Sequence, residues 1–220
     1  VDSISKCIQL GAQDYLPKPI NGTILIAKLV AALERKLWRE REKELVNKLH
    51  IQATTDQLTG IYNRRVIFEA LDDAMENSKK SSDREFTTIM FDIDFFKQVN
   101  DNYGHAGGDA VLISFAQLLQ TEISSPNIVG RVGGEEFLAI LYLSPDEAKE
   151  FCVKLIHKIN HNFVDFEGTE IKISSSGGVA FSTETETSAD LISKADERLY
   201  VAKKNGRNRF TLHDSELLGE

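Results

Sequence analysis

The sequence has few of the features that mark disulfide-stabilised or membrane-spanning proteins. Only two cysteines occur in 220 residues, Cys7 and Cys152, and they lie far apart. No secretory leader is visible, so we expect reduced thiols in a cytoplasmic protein and no disulfide framework. No apolar run approaches the roughly 20 residues that a helix needs to span a bilayer. These residues therefore predict no membrane contact.

Positive charge is also scarce. Lys and Arg number 26 against 34 Asp and Glu, which gives a formal net charge of −8. A protein that binds nucleic acid over a broad surface carries the opposite sign, because the phosphates need positive partners. The composition therefore argues against a nucleic-acid partner, and any phosphate binding must be confined to a local site.

Helix formers and helix breakers divide the chain into regions. Residues 1–20 hold a short helix pattern, a turn at Gly11 and the run Asp14-Tyr15-Leu16-Pro17-Lys18-Pro19. Residues 21–52 contain no Gly or Pro after Gly22, which predicts one long helix. Its apolar side is interrupted by the fully charged stretch 39–44, as expected for a connector between domains.

From Thr54 onward, helix and strand patterns alternate. We predict helices over Asn63–Met75, Ala110–Leu119, Pro145–His161 and Ala189–Lys204, and strands over Phe86–Phe91, Ile128–Val132, Phe137–Leu143 and Ile171–Phe181. The apolar runs on either side of Gly133-Gly134-Glu135-Glu136 predict a β-hairpin.

Acidic residues follow two of these predicted strands. Asp92 and Asp94 end the first run, and Glu135 and Glu136 stand at the hairpin tip. Each group alone has a plain structural interpretation, as a polar turn or as solvated acids beside glycines. Together they can bring three or four carboxylates close, which is unfavourable without a cation between them. Carboxylates and a backbone carbonyl suit Mg²⁺, and such sites serve phosphoryl and nucleotidyl transfer.

A glycine-rich segment, Phe95–Asp109, carries groups suited to a nucleotide. It predicts a turn that opens a helix, where backbone N–H groups can bind phosphate and Lys97 adds charge. Asn100 and Asp109 can contact a base edge, and a carboxylate accepts both N–H donors of guanine at once. The basic run 203–209 would by itself be explained by the helix dipole.

Four segments, taken in order, resemble the GGDEF diguanylate cyclases. Residues 56–65 resemble the first motif of that family, and Phe91–Asp109 resembles its nucleotide segment. Gly133–Phe137 matches the name-giving motif in the form GGEEF. Residues 194–209 resemble its final helix and basic tail. The match covers residues 53–213 and leaves 214–220 as a tail. It implies an α+β fold similar to a polymerase palm, with a central antiparallel sheet flanked by helices.

The resemblance also implies an activity and a set of site residues. Two GTP molecules would be condensed into cyclic di-GMP, with release of pyrophosphate, where two such domains meet. Mg²⁺, or alternatively Mn²⁺, would be held by Asp92, the Ile93 carbonyl and Glu135. Glu135 would also help to deprotonate the attacking ribose hydroxyl. Glu136, which belongs to the same motif, and Asp92 would complete the catalytic residues. The substrate-binding residues would be Asn100 and Asp109 for guanine, and Phe95, Phe96, Lys97, Lys203 and Arg207 for the triphosphate.

Residues 1–20 resemble the C-terminal end of a response-regulator receiver domain. Tyr15 matches its switch aromatic and Lys18 its phosphate-contacting lysine, and the Lys18–Pro19 bond is a candidate cis peptide. A plain turn is the alternative. Residues 21–52 would hold the last receiver helix and the connector of a homodimer. We expect the phosphoacceptor aspartate upstream of Val1, and a histidine kinase as partner of the full-length protein.

Two other functions stay open at this point. One is an inactive GGDEF module that serves as a nucleotide-binding or protein-interaction sensor, and the other is a cyclase with an adenine-containing product. The presence of Asp92, Lys97, Asn100 and Glu135 argues against the first, and Asp109 argues against the second.

The chain departs from the family at one pair of positions. Many members carry an Arg-x-x-Asp motif shortly before the GG pair, where the product binds and inhibits. Ser124 and Asn127 occupy these positions here. Since Ser cannot contact phosphate or stack on guanine as Arg does, we expect no high-affinity inhibitory site.

Overall fold

The computed structural model describes residues 6, 10–12, 14–16, 18–80, 85–213 and 216–219. The chain divides into two compact units, Val1–Ile51 and Gln52–Glu220. Cys7, Gln13 and Pro17 lie outside the described residues, so the predictions that fall on them are not addressed by the structure.

The predicted long helix is confirmed as α1, which runs from Gly22 to Thr54. None of its residues is buried. Most of its large apolar side chains are 44–68% exposed, whereas Leu25 is partly covered. Before it, the Lys18–Pro19 bond is cis, as predicted. Asp14 pairs with Lys28, and this hydrogen bond holds the pKa of Asp14 below its ordinary value. The assignment of residues 1–20 and 21–52 to a receiver end and a connector stays a prediction.

A six-stranded sheet forms the centre of the second unit. Its strands are β1 (Thr87–Ile93), β2 (Ile128–Gly133), β3 (Glu136–Leu141), β6 (Ser175–Phe181), β7 (Arg209–His213) and β8 (Glu216–Gly219), and a separate hairpin consists of β4 (Phe163–Phe166) and β5 (Thr169–Lys172). The strands of the sheet stand in the order β2-β3-β1-β6-β7-β8. Every neighbouring pair is antiparallel except β6 and β7. The predicted fold class is therefore confirmed, with a sheet that is mixed because of this one parallel pair.

Among the described residues, four α-helices accompany the sheet. Three of them lie within a few residues of their predicted positions, and the fourth is longer than predicted. Local caps explain where two of them begin. The Asn63 side chain accepts from the Val66 N–H, and Ser144 and Glu147 form a reciprocal capping box. The helices are α2 (Arg64–Ser78), α3 (Phe96–Glu122), α4 (Pro145–Asn160) and α5 (Ser188–Lys204); the predicted helix Ala110–Leu119 is the second part of α3.

Strand β1 is buried along its whole length, because apolar side chains cover both faces of the sheet. Alternate residues of a strand point to opposite faces. Phe91 packs on one face with the rings of Phe115 and Phe137, and Met90 belongs to the cluster on the other face with Leu71 and Leu199. The last residues of β1 are therefore held rigidly where the strand leaves the core.

The segment predicted as a glycine-rich turn has a different structure. It is helical on both sides of Gly104, whose φ of 69° and ψ of 176° interrupt α3. Gly107 and Gly108 lie buried in the second part of the helix. A Cβ on Gly107 would stand 2.4 Å from the Cβ of Tyr103. These glycines therefore allow close packing, and Gly104 alone provides the turn.

The predicted strand Ile171–Phe181 was also wrong as a single element. It consists of β5, which pairs with β4, and β6, which pairs with β1 and β7. All seven residues of β6 are buried, so the alternation expected of a half-exposed strand is absent. Strands β4, β7 and β8 were not predicted from the sequence.

Two expectations from composition can be compared with the described part of the chain. None of its helices is both long and apolar enough to cross a membrane. Cys152 is a free, buried thiol whose pKa is raised by burial, so it behaves as an unreactive core residue.

A buried ion pair attaches α5 to the sheet. Arg198 is 4% exposed, and its guanidinium donates to both carboxylate oxygens of Glu184 at 2.7 Å and to the Val179 carbonyl at 2.7 Å. Partial burial raises the pKa of Glu184, but the hydrogen bonds from Arg198 and the Phe181 N–H outweigh burial and leave this pKa below its usual 4.5. The pair therefore stabilises the fold in its charged form.

We predict that Glu184→Gln lowers the free energy of unfolding by about 3 kcal/mol at pH 7, because it leaves Arg198 buried without its counter-charge. A carboxylate with a depressed pKa contributes stability above its unfolded pKa and loses it as the pH falls. The difference from the parent should therefore shrink below pH 4.5. Urea unfolding at pH 7 and at a pH below 4.5 measures this difference in stability. The control is Glu197→Gln, which changes an exposed residue on the same helix as Arg198. Equal midpoints for parent and Glu184→Gln at pH 7 would contradict this.

Candidate functional site

The carboxyl end of β1 places a carboxylate in a nearly buried position. Asp92 is 7% exposed, and its Oδ2 lies 2.6 Å from the Nζ of Lys203. Burial raises the pKa of Asp92, the negative charges of Glu135 and Glu136 raise it further, and Lys203 partly offsets both effects. The site therefore favours a positive charge beside Asp92.

The tip of the β2–β3 hairpin lies beside this strand end. Asp92 stands opposite Glu136 in the β1–β3 register, and the Ile93 N–H donates to the Glu135 carbonyl at 3.3 Å. Gly134 has a φ of 49°, a conformation that favours glycine. The structure thus brings together the three residues predicted as metal ligands, Asp92, Ile93 and Glu135, with Glu136 exposed next to them.

The donor set at this place suits a hard divalent cation. It consists of two carboxylates and one peptide carbonyl. Burial and the nearby charges of Glu135 and Glu136 make a cation favourable beside Asp92, and Lys203 provides part of this positive charge. In the described ranges, no group of three or more His, Cys, Asp and Glu side chains could hold a metal. The predicted set has only two such side chains and one backbone carbonyl. This is enough for Mg²⁺, which commonly takes one or two carboxylates and completes its octahedron with phosphates and water.

Four of the five residues predicted to bind the triphosphate lie at or near the start of α3, and the fifth, Lys203, contacts Asp92. Phe95 precedes the helix with a φ of 56°, and its exposed ring lies 4.6 Å from the Arg207 guanidinium. Phe96 is the first helical residue, and Lys97 lies exposed on the first turn. The first N–H groups of a helix lack helical partners and can bind an anion. Arg207, Lys97 and these N–H groups therefore lie where a phosphate could contact them.

Gly108 explains how the two predicted base-binding residues are placed. A Cβ on Gly108 would lie 2.0 Å from the Asn100 Oδ1 and 3.2 Å from the Phe96 Cζ. The Asn100 amide and the Phe96 ring therefore pack on the backbone of Gly108. Asp109 follows directly and is exposed. The helical break at Gly104 makes this approach between the two parts of α3 possible.

Sequence reasoning missed the part played by Asp94. This carboxylate is 5% exposed and accepts from Ser174 Oγ at 2.8 Å, Ser176 Oγ at 2.7 Å and the Asn208 N–H at 2.9 Å. It thereby attaches the loop that carries Arg207 to the end of the sheet. The strand period gave a signal, because Asp94 directly follows β1 and its alternation places residues 92 and 94 on the same side. The partners of Asp94, however, are distant in the chain.

Arg131 was also missed, and it determines the position of the hairpin tip. Its Nε and Nη2 donate to the Gly134 carbonyl at 3.0 and 2.8 Å, and its Nη1 donates to Asp56 Oδ1 at 3.1 Å. Asp56 also accepts from the N–H and hydroxyl of Thr59. Partial burial raises the pKa of Asp56, but these hydrogen bonds outweigh it and leave the pKa below its ordinary value. The first motif therefore supports the hairpin that carries Glu135.

Ser124 and Asn127, the positions of the missing Arg-x-x-Asp pair, form a turn before β2. The Asn127 N–H donates to the Ser124 carbonyl at 3.0 Å, and its Oδ1 accepts from the Tyr142 N–H at 2.8 Å. The Asn127 oxygen is thus engaged in a local structural hydrogen bond.

Two curated proteins resemble this chain in sequence. The chain is 33% identical over 210 residues to the response regulator PleD of Caulobacter vibrioides, which covers 92% of this chain and 45% of PleD. It is 33% identical over 168 residues to diguanylate cyclase A of Treponema denticola, covering 74% of this chain and 45% of that protein. The chain thus spans less than half the length of these curated relatives.

A solved structure resembles most of the chain. It is the coiled coil and GGDEF domain of DgcB from Caulobacter crescentus in complex with c-di-GMP, with a TM-score of 0.74 and 27% identity, covering 85% of this chain and 98% of that one. The family model described as "Diguanylate cyclase, GGDEF domain" matches residues 53–209. The resemblance predicted from the motifs is therefore confirmed, and the chain belongs to the GGDEF diguanylate cyclase family.

Proposed function

We propose that this chain is a diguanylate cyclase, which condenses two GTP molecules into cyclic di-GMP and two pyrophosphates in a Mg²⁺-dependent reaction. The observation that carries the proposal is the convergence of Asp92, the Ile93 backbone and Glu135 at one strand end, beside Lys203. Family membership supports the same reaction.

The proposed roles follow from the surroundings of each group. Asp92, the Ile93 carbonyl and Glu135 would hold Mg²⁺, which when bound neutralises the charge that develops on the phosphates. Glu135 would accept the proton of the attacking ribose hydroxyl, with Glu136 exposed beside it. Lys203 would then share its charge between Asp92 and a phosphate oxygen. The protein contributes chiefly positioning and electrostatic stabilisation.

The remaining substrate contacts lie along α3. Arg207, Lys97 and the N–H groups after Phe95 would bind the triphosphate. Asn100 and Asp109 would bind guanine, whose N1–H and amino group are both donors. The Asn100 amide packs on the backbone of Gly108, which directly precedes Asp109, and this closeness supports the proposal that one base edge contacts both side chains.

One such domain offers one nucleotide site, and the product contains two nucleotides, so we propose that two copies meet face to face. The exposed apolar side chains of α1 support a homodimer held by this helix. Five apolar residues on the two sides of its charged stretch are 47–63% exposed, namely Ile26, Leu33, Leu37, Leu45 and Leu49. The similar DgcB structure is described as a coiled coil and GGDEF domain.

We further propose that the activity is the output of a response regulator. The support is the likeness to PleD, itself named a response regulator, over 92% of this chain. A receiver domain ending near residue 20 and a histidine kinase as its partner are parts of this proposal.

The test of the proposed function is Glu135→Gln, which removes a metal ligand and a proton acceptor but keeps the shape. Turnover of GTP to cyclic di-GMP should fall by about 10²- to 10⁴-fold, as expected when a general base is lost. Mass spectrometry of the products after incubation with GTP and Mg²⁺ measures this. The exposed Glu150→Gln on α4 serves as control, and near-normal turnover by Glu135→Gln would refute the assignment.

The same assay over a dilution series of the parent protein examines the requirement for two subunits. Specific activity should rise with protein concentration until dimerisation saturates, because each product needs two half-sites. Flat specific activity from a protein that light scattering shows to be monomeric throughout would count against a shared site.

Base selection provides an independent prediction. A site with a positioned carboxylate can reject a base that lacks its donors by about 10⁴-fold. The protein should therefore bind and use GTP but not ATP, and Asp109→Ala should weaken GTP binding. Calorimetric titration with GTP and with ATP measures both affinities. Asp101→Ala, on the same helix, is the control for Asp109→Ala. Equal affinities of the parent for GTP and ATP would overturn the guanine assignment.

Product inhibition should be weak in this protein. Asn127 uses its side-chain oxygen for the Tyr142 N–H, and Ser124 offers no cation. Titration of cyclic di-GMP into the nucleotide-free protein by calorimetry should therefore reveal no tight binding at this turn. Submicromolar binding that Ser124→Ala or Asn127→Ala abolishes would show that the expectation is wrong.

A further inference from the structure

The loop that follows α5 has an unusual backbone. Gly206, Arg207 and Asn208 have φ values of 106°, 60° and 50°, so three successive residues lie in the left-handed region. This conformation is unfavourable for a residue with a Cβ, and it persists where the surrounding structure holds it. Contacts with other parts of the domain must therefore keep Arg207 and Asn208 in place.

Hydrogen bonds hold the backbone of this loop. The Arg207 N–H donates to the Ala202 carbonyl at 3.1 Å, and the Arg209 Nε donates to the Arg207 carbonyl at 2.8 Å. The Asn208 N–H donates to the Asp94 carboxylate at 2.9 Å. Ala202 and Arg209 are close to the loop in sequence, whereas Asp94 lies at the junction of β1 and α3. Asp94 therefore attaches the loop to a distant part of the domain.

Asp94 has a defined orientation of its own. The carboxylate is 5% exposed and accepts hydrogen bonds at both oxygens. Its Oδ1 accepts from Ser176 Oγ at 2.7 Å, and its Oδ2 accepts from Ser174 Oγ at 2.8 Å as well as from the Asn208 N–H. Charge-assisted hydrogen bonds of this kind are the stronger ones in proteins. The acceptor that holds the loop is thus fixed in position.

The next residue, Phe95, contacts the side chain of Arg207. The Phe95 ring is 52% exposed, and the Arg207 guanidinium lies 4.6 Å from the ring centroid. A planar guanidinium is attracted to the face of an aromatic ring. Its N–H donors lie in its own plane, so stacking on a ring leaves them available to bind an anion.

We propose that the side chains of Asp94 and Phe95 are positioning residues for Arg207. Asp94 fixes the loop backbone, and the Phe95 ring fixes the guanidinium. Arg207 then binds a phosphate group with a smaller loss of conformational freedom than a mobile side chain would suffer. This inference rests on the proposed role of Arg207 in triphosphate binding. It adds roles for the Asp94 carboxylate and the Phe95 ring, which the proposed function does not use.

The test measures binding of a GTP analogue in which a methylene group replaces the oxygen between the α- and β-phosphates, so that pyrophosphate cannot leave. Calorimetry with the complete chain and Mg²⁺ gives its Kd. Phe95→Leu should weaken binding about 2- to 5-fold, which corresponds to the loss of an exposed cation–π contact. Phe95→Tyr keeps the ring and should bind like the parent. The control is Phe163→Leu, which removes a similarly exposed ring that lies 5.4 Å from the Lys172 ammonium.

Asp94→Asn should weaken binding of the same analogue about 10-fold. An amide has one acceptor oxygen where the carboxylate has two, so a hydrogen bond to a charged group is lost. Asp101→Asn changes an exposed residue of α3 and should leave the Kd unchanged. Unaltered affinity in both Asp94→Asn and Phe95→Leu would overturn the proposal.

A double-mutant cycle examines whether the two residues act through Arg207. Arg207→Ala should weaken binding at least about 10-fold, and adding Phe95→Leu or Asp94→Asn to it should cause no further loss. A further loss in the Arg207→Ala background would show that the added residue acts elsewhere, such as on the neighbouring metal ligands, and would contradict its positioning role. A general loss of structure would also persist in that background.

Two measurements separate this inference from other failures. Thermal unfolding shows whether each variant is folded, and if Asp94→Asn is not, the exposed Phe95 ring and its cycle with Arg207 decide the proposal. Mass spectrometry of the products from GTP tests the proposed function, which fails if the parent forms no cyclic di-GMP. A parent that forms the product, together with variants that bind the analogue as tightly as the parent, contradicts only the positioning roles.

Discussion

The buried carboxylate of Asp92 is the constraint on which the site depends. Apolar side chains cover both faces of β1, so only the end of the strand approaches the surface. The Asp92 carboxylate at this end remains nearly buried. Enclosure and the neighbouring Glu135 and Glu136 make a lone negative charge costly there. A cation must stand beside it, and Lys203 provides one from the last helix. The proposed Mg²⁺ would meet the same electrostatic demand more completely.

The surrounding structure holds these charges at fixed positions. Arg131 links the Gly134 carbonyl at the hairpin tip to Asp56, and Asp94 links the Asn208 backbone to the sheet end. The pair Arg198–Glu184 fixes the helix that carries Lys203. Each link is a charged group that makes several hydrogen bonds, and hydrogen bonds to a charged group are stronger than those between two neutral groups. Charged residues outside the site therefore determine its geometry.

The sequence by itself determined the family, the order of the motifs, and the helices whose starts are capped locally, such as α2 after Asn63 and α4 after Ser144. It also indicated the acids at the two strand ends, because strand and turn signals act over a few residues. The break of α3 at Gly104 was not predictable in this way. A glycine has many allowed conformations, and packing selects one.

Only the tertiary structure decided how distant residues meet. The division of Ile171–Phe181 into β5 and β6 depends on two different pairing partners, and burial on both faces removed the alternation that would have marked β6. The contacts of Lys203 with Asp92 and of Arg131 with Asp56 join residues that no local pattern connects. Their geometry arises because the sheet and its helices bring these side chains together, and that arrangement follows from the packing of the whole domain.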